Sequence, residues 1–170
     1  LGRLGIGHSV VFEKKITEEV VNKVNSSTED IVWICDLGSG YLSEFRKDGL
    51  VITDHHVPDT RRNRRQATLD DFSALYHVNP HCFGMDGSIE ISGAGSTYMV
   101  AKKLDRNNID LAYLALIGAV GDFQDSRESG LISMNRIIVD EAVRSGDVIP
   151  ENDLRLFGRE TRNLVQFLQY

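Results

Sequence analysis

The sequence predicts an α/β fold, with a parallel sheet flanked by helices. Three observations carry that expectation. Short β-prone apolar runs, Ile31–Cys35 and Leu50–Thr53, are separated by a stretch able to form a helix. Each run passes directly into an acid, Asp36 or Asp54, as strands do when they end at a ligand site. The first run is apolar without alternation, the pattern of a strand buried on both faces. Strand, helix and strand in that order punctuate a βαβ unit.

Gly7–Phe12 reads as a strand, and Thr17 is placed to cap a helix over Glu18–Val24. After the polar connection 25–30 and the strand Ile31–Cys35, the glycines of Asp36-Leu37-Gly38-Ser39-Gly40 permit a tight turn. A short helix around Tyr41–Lys47 leads to Leu50–Thr53. The polar loop 59–71 crowds Arg61, Arg62, Arg64 and Arg65 together. It reads either as a solvated loop or as an arm contacting phosphates, which guanidinium groups bind in bidentate fashion. Leu75–Val78 reads as another strand, closed by Asn79-Pro80. Ser92-Gly93-Ala94-Gly95-Ser96-Thr97 enters a helix over Tyr98–Leu104. Such an entry is either a cap or an anion site. Asp110 is placed to cap Leu111–Val120, which is apolar almost all round and is expected to be buried. Asp122 follows that helix, and a buried acid there needs a partner, a metal or water. Leu131–Arg144 is a further helix, broken by Gly146 and Pro150. Leu154–Tyr170 reads as a turn and an amphipathic helix that docks elsewhere on a parent protein.

Composition bounds the function. The 170 residues, 41% hydrophobic, suffice for one real core. No uninterrupted apolar span or signal peptide is present, so no membrane is expected. Cys35 and Cys82 are too few for a disulfide framework and suit a reducing cytoplasm. A net charge of −6 argues against a broad non-specific nucleic-acid surface, though not against a focused acidic site. The chain starts at Leu1 in a Gly-rich run and reads as a piece of something longer.

The chemistry concentrates in Val51-Ile52-Thr53-Asp54-His55-His56-Val57-Pro58, where a strand delivers an acid and two imidazoles to a sheet edge. A turn there decides which of the three share a site. His77, His81 and Cys82 invite a zinc reading, but no second ligand pair at finger-like spacing supports it.

Four segments, in order and spacing, resemble the motifs of the DHH phosphoesterase superfamily. They are Ile34-Cys35-Asp36-Leu37-Gly38, then Thr53-Asp54-His55-His56, then Val78-Asn79-Pro80 with Ser92-Gly93-Ala94-Gly95, then Gly118-Ala119-Val120-Gly121-Asp122. The nearest likeness is to archaeal RecJ-like single-strand nucleases, and Leu156-Phe157-Gly158-Arg159-Glu160 resembles that branch too. The family's opening His-x-Asp-x-Asp segment has no match here, nor has its C-terminal substrate-binding domain. The resemblance therefore implies a Rossmann-like DHH domain over 1–150, without its first motif, and a connection to a missing second domain over 151–170.

The same resemblance implies a manganese-dependent (or magnesium-dependent) phosphodiesterase with two ions in the complete site. Asp36 would bridge the ions, with His55 and Asp122 ligating one each. His56 would stand at the scissile phosphate, and Asp54 would orient a histidine. Ser92, Gly93, Ala94 and Gly95 would face substrate, with Arg61 and Arg62 on its backbone. Carboxylates with imidazoles do suit manganese, and two divalent ions about 4 Å apart activate water and relieve phosphoryl charge. The implied substrate is single-stranded DNA or RNA, and replication-complex proteins are possible partners. Two alternatives stay open. One is a small substrate such as a cyclic dinucleotide, short oligonucleotide or pyrophosphate. The other is a catalytically silent replication scaffold, disfavoured because Asp36, His55, His56 and Asp122 are all intact. Without the first motif, this chain alone is expected to be inactive.

Overall fold

The computed structural model describes residues 1–59, 75–126, 129–151 and Val165. Three parallel strands form the sheet: β1 (Val32–Cys35), β2 (Leu50–Thr53) and β3 (Leu75–Val78), in that spatial order. Their registers align Cys35, Thr53 and Val78 at one edge. The residues that follow, Asp36, Asp54 and Asn79, therefore emerge together at the carboxyl end. The backbone carries the ladder one step further, since Asp36 N donates to Thr53 O and Asp54 N to Val78 O.

The first helix, α1 (Glu18–Asn25), starts where Thr17 Oγ1 accepts from Val20 N at 3.3 Å. It packs Val21 and Val24 with Ile16, Leu42, Phe45, Leu50 and Ile52. Alternation along a strand turns Thr53 and Trp33 to the opposite face. There Trp33 Nε1 donates to Thr53 Oγ1, which lies 2.7 Å from Thr97 Oγ1 on α2 (Gly93–Leu104). Helices α2, α3 (Ala112–Gly121) and α4 (Ser133–Ser145) enclose a second core of Ile91, Tyr98, Ala112, Ala115, Leu116, Ile138 and Ala142. The protein is thus a mixed α/β fold, a three-stranded parallel sheet flanked by helices, consistent with a Rossmann-like arrangement. Fully buried Leu50, Ile52 and Ile138 each contribute roughly 1.5–3 kcal/mol of transfer free energy.

Two devices fix how the helices meet. A Cβ on Gly118 would sit 2.4 Å from Ala94 Cβ, so α2 and α3 cross at a separation only glycine allows. Across the core, Glu141 on α4 accepts from Tyr98 Oη and Lys102 Nζ of α2, both at 2.7 Å. Burial raises the pKa of Glu141, but the hydrogen bonds from Lys102 and Tyr98 outweigh it and hold the carboxyl below its ordinary value.

Several elements differ from expectation. Gly7–Phe12 forms no strand. It is exposed, because a β-prone run without a partner has no ladder to join. β1 is not buried on both faces, since Cys35 is exposed and the outer edge of β1 pairs with none of the described residues. Around Tyr41–Lys47 there is a 3₁₀ turn, Ser39–Tyr41, and no α-helix. Asp110 caps nothing, because Arg3 holds its carboxylate at 2.7 Å and α3 begins after Leu111. Nor is α3 buried all round: Tyr113, Leu114, Ile117 and Val120 are exposed. The arginine-rich loop, with Arg61, Arg62, Arg64 and Arg65, and the tail motif 156–160 lie outside the described residues. No helix of the described residues is long and apolar enough to cross a membrane.

Candidate metal centre

Asp36 follows β1 in a left-handed conformation, φ 64°, which aspartate tolerates better than most residues. That turn aims its carboxylate at α2, where Gly93 must lack a side chain. A Cβ there would lie 2.0 Å from Asp36 Oδ1 and 2.9 Å from Asp36 Cα. Helix α2 begins at Gly93, with Ser92 Oγ accepting from Gly95 N as its cap. The glycine-rich segment is thus the first turn of the helix itself, with Asp36 packed against it. Of its residues Ser92, Gly93 and Gly95 are buried, and Ala94 is half-buried. Ala94 and Asp36 border an apolar groove of about 340 Å³, shared with Cys35, Thr97 and Leu114.

Asp54 is 1% exposed, and its carboxylate is fully engaged. Oδ2 accepts from Ser39 N, and Oδ1 accepts from His55 N, His56 N and His56 Nδ1. Burial pushes its pKa up, yet the hydrogen bonds from Ser39 and His56 outweigh burial and leave it below the usual carboxylate value. The same 2.7 Å bond raises the pKa of His56, so that imidazole keeps its proton to higher pH than a free one. Asp54 therefore orients His56. The ring of His55 is held differently, by Nδ1 donating to the Gly87 carbonyl at 2.7 Å. A carbonyl only accepts, so Nδ1 carries the hydrogen and the other ring nitrogen, Nε2, is left to act as a ligand.

That Nε2 lies 3.4 Å from Asp36 Oδ1 and 3.6 Å from Asp122 Oδ2. Both separations exceed a good N–H···O hydrogen bond. They match ligand atoms about 2.0–2.2 Å from one shared ion, which stand roughly 3.0–3.6 Å apart. Asp36, Asp54, His55 and His56 each offer an atom within 4.8 Å of the others. Because the Asp54 oxygens already accept hydrogen bonds, the donors that face one another are His55 Nε2 with Asp36 Oδ1 and with Asp122 Oδ2, and His56 stands beside them. Desolvation raises the pKa of Asp36; His55 opposes it most strongly, and the neighbouring charges of Asp122 and Asp54 add smaller upward pushes. A cation among these groups would relieve that crowding. The residues fit a divalent ion with mixed oxygen and nitrogen ligands.

The structure thus brings Asp36, Asp54, His55, His56 and Asp122 to one end of the sheet. It gives His77 a different task. His77 Nε2 lies 2.9 Å from buried Ser39 Oγ, to which Asn79 Nδ2 also donates. Burial lowers the pKa of His77. Cys82 Sγ is 3.9 Å from His77 Nδ1, and no metal-ligating cluster of the described residues includes His77, His81 or Cys82. Asn79 also donates to His56 O, so the end of β3 helps hold the histidine turn. Sequence alone does not single out Gly87 or Gln124; it marks Asn79 as a motif residue closing the third strand, without its hydrogen bonds to Ser39 and the His56 carbonyl.

No family model matches the chain. It is 34% identical over 142 residues to an uncharacterized protein of Methanocaldococcus jannaschii. The alignment covers 79% of this chain and 30% of that protein, so the chain spans less than a third of its relative's length.

Proposed function

We propose that this chain carries the metal-binding core of a phosphodiesterase acting on single-stranded DNA or RNA. The observation that supports this most directly is the convergence of Asp36 Oδ1, Asp122 Oδ2 and His55 Nε2. Beside them, His56 is set apart by its bond to Asp54. Asp36, His55 and Asp122 would hold Mn2+ or Mg2+. Such an ion, when bound, makes hydroxide available near neutral pH and withdraws charge from phosphoryl oxygens.

The chain's own residues account for the rest. Asp54, locked by Ser39 and the histidine-turn amides, holds the His56 ring with its proton on Nδ1. Its raised pKa suits His56 to neutralise a phosphoryl oxygen or to donate a proton to the leaving oxygen. The apolar groove between Asp36 and Leu114 offers room for the non-phosphate part of a nucleotide. Arg61 and Arg62 would bind further phosphates. The exposed free thiols Cys35 and Cys82 suit a cytoplasmic protein.

The test is hydrolysis of a labelled single strand with Mn2+ by the full-length protein that contains this sequence. Pyrophosphate and a cyclic dinucleotide serve as competing substrates. Metal-dependent cleavage of the strand, abolished by Asp36→Ala, is expected. Preference for pyrophosphate or the cyclic dinucleotide would replace the substrate class, and inactivity on all three would reject the phosphodiesterase reading.

A further inference from the structure

His55 is not the only donor to the Gly87 carbonyl. Gln124 Nε2 donates to the same oxygen at 2.9 Å. Gln124 Oε1 in turn accepts from Asn135 Nδ2 at 2.6 Å. Asn135, near the start of α4, is tied back to the same loop, its backbone N donating to Glu90 O. Gln124 is 1% and Asn135 0% exposed, and Gly87 is buried. The loop also lies close against the histidine turn, where a Cβ added to Gly87 would stand 2.0 Å from His55 O.

We propose that Gln124 and Asn135 are positioning residues for His55, acting through the Gly87 carbonyl. The inference rests on the metal reading of His55, Asp36 and Asp122. Two donors on one carbonyl fix its direction, and the direction fixes both the plane of the His55 ring and the nitrogen that carries hydrogen. If Gly87 O turned away, Nδ1 would lose its acceptor. The hydrogen could then move to Nε2, and the nitrogen facing Asp36 and Asp122 would no longer be a ligand. Such a chain of amides is an expensive way to support a loop. Asn135 Oδ1 is buried with no hydrogen-bond partner among the described residues, a desolvation penalty that an apolar pair would avoid. The relay also joins α4 to the metal centre through Asn135, Gln124 and the Gly87 carbonyl.

The experiment uses the 170-residue chain and two readouts. The first needs no metal: ¹⁵N shifts of the His55 ring at mildly alkaline pH report which nitrogen carries hydrogen. Wild type is expected to show Nδ1–H, and Gln124→Met, which keeps the volume but removes the donor, a mixture of the two tautomers. The second is Mn2+ affinity, expected to fall about 10- to 100-fold in Gln124→Met, the range for disturbing a ligand's outer partner. Asn135→Ser weakens the relay one step further away and serves if Gln124→Met does not fold. Its tautomer shift should be in the same direction and smaller. Glu141→Gln, which loosens α2 from α4 elsewhere, should leave the His55 tautomer unchanged. A wild-type ring with hydrogen on Nε2, or a relay variant with an unaltered tautomer, overturns the proposal. Absent Mn2+ binding in wild type would instead reject the metal reading, with the ring shifts still judging the relay.

Discussion

Gly93→Ala separates the metal centre from the fold with a single methyl group. The added Cβ would stand 2.0 Å from Asp36 Oδ1, 2.8 Å from Asp36 Cγ and 2.9 Å from Asp36 Cα. An ordinary carbon contact is about 3.5 Å, so the carboxylate must move by roughly 1.5 Å. Metal ligation tolerates only about 0.2 Å, so Asp36 would cease to be a ligand. The loss in Mn2+ affinity should be at least about 10- to 100-fold, the range for disturbing a mere outer-sphere partner. Stability should change by a similar or smaller amount, since a 10- to 100-fold affinity loss is about 1.4–2.7 kcal/mol. Overpacking costs about 1–3 kcal/mol, offset by about 1 kcal/mol from replacing glycine by alanine in a helix. The expected net loss, up to about 2 kcal/mol, lowers Tm by several degrees at most. Gly49→Ala is the control. Its Cβ would meet Asp30 O at 2.2 Å with φ at +70°, in a turn that supplies none of the metal-site residues, so it should destabilise without altering Mn2+ affinity. Calorimetric titration with Mn2+ beside thermal unfolding reads both effects. Wild-type Mn2+ affinity in Gly93→Ala would refute the placement of Asp36 as a ligand.

Three further outcomes are expected. Glu141 has a folded pKa below its ordinary 4.5, so its stabilising effect is present above that value and is lost as pH falls through the folded pKa. Glu141→Gln should therefore lower stability by about 2 kcal/mol near neutrality, the difference closing in acid; a pH-independent gap in thermal unfolding would contradict this. His56→Ala should retain Mn2+ binding while turnover of the full-length protein falls about 10²- to 10⁴-fold, and loss of Mn2+ binding would show that the two histidines exchange roles. Replacing Arg61 and Arg62 by Ala should flatten the salt dependence of single-strand binding by roughly 0.7 log unit per lost phosphate contact, and an unchanged slope would return them to a solvated loop.

What the sequence disclosed followed the strength of local signals. Val32–Cys35, Leu50–Thr53 and Leu75–Val78 were legible because each is β-prone, apolar and closed by a turn residue. Thr17 and Gly146 marked helix ends through capping chemistry that needs no tertiary context. Asp36, Asp54, His55 and His56 stood out as polar groups at strand ends, and parallel register then had to gather them. Gly7–Phe12 failed because strand propensity is realised only beside another strand. The sequence signals set the start of α2 too late because glycine weakens a helix, whereas here close approach to Asp36 requires glycine at Gly93. Asp110 was a plausible cap until Arg3, 107 residues away in sequence, supplied a better partner. Gly87 acts on His55 through a backbone carbonyl, which every residue possesses. Nothing in the identity of Gly87, Gln124 or Asn135 could announce that role.

The central claim is that Asp36, His55 and Asp122 form one cation site, and titration of the chain with Mn2+, followed by electron paramagnetic resonance, tests it most directly. Free Mn2+ should be depleted saturably by the wild-type chain, and Asp36→Asn, which keeps the shape but removes the charge, should abolish that depletion while the protein stays folded. Equal depletion by wild type and Asp36→Asn, or none by wild type, would contradict the claim.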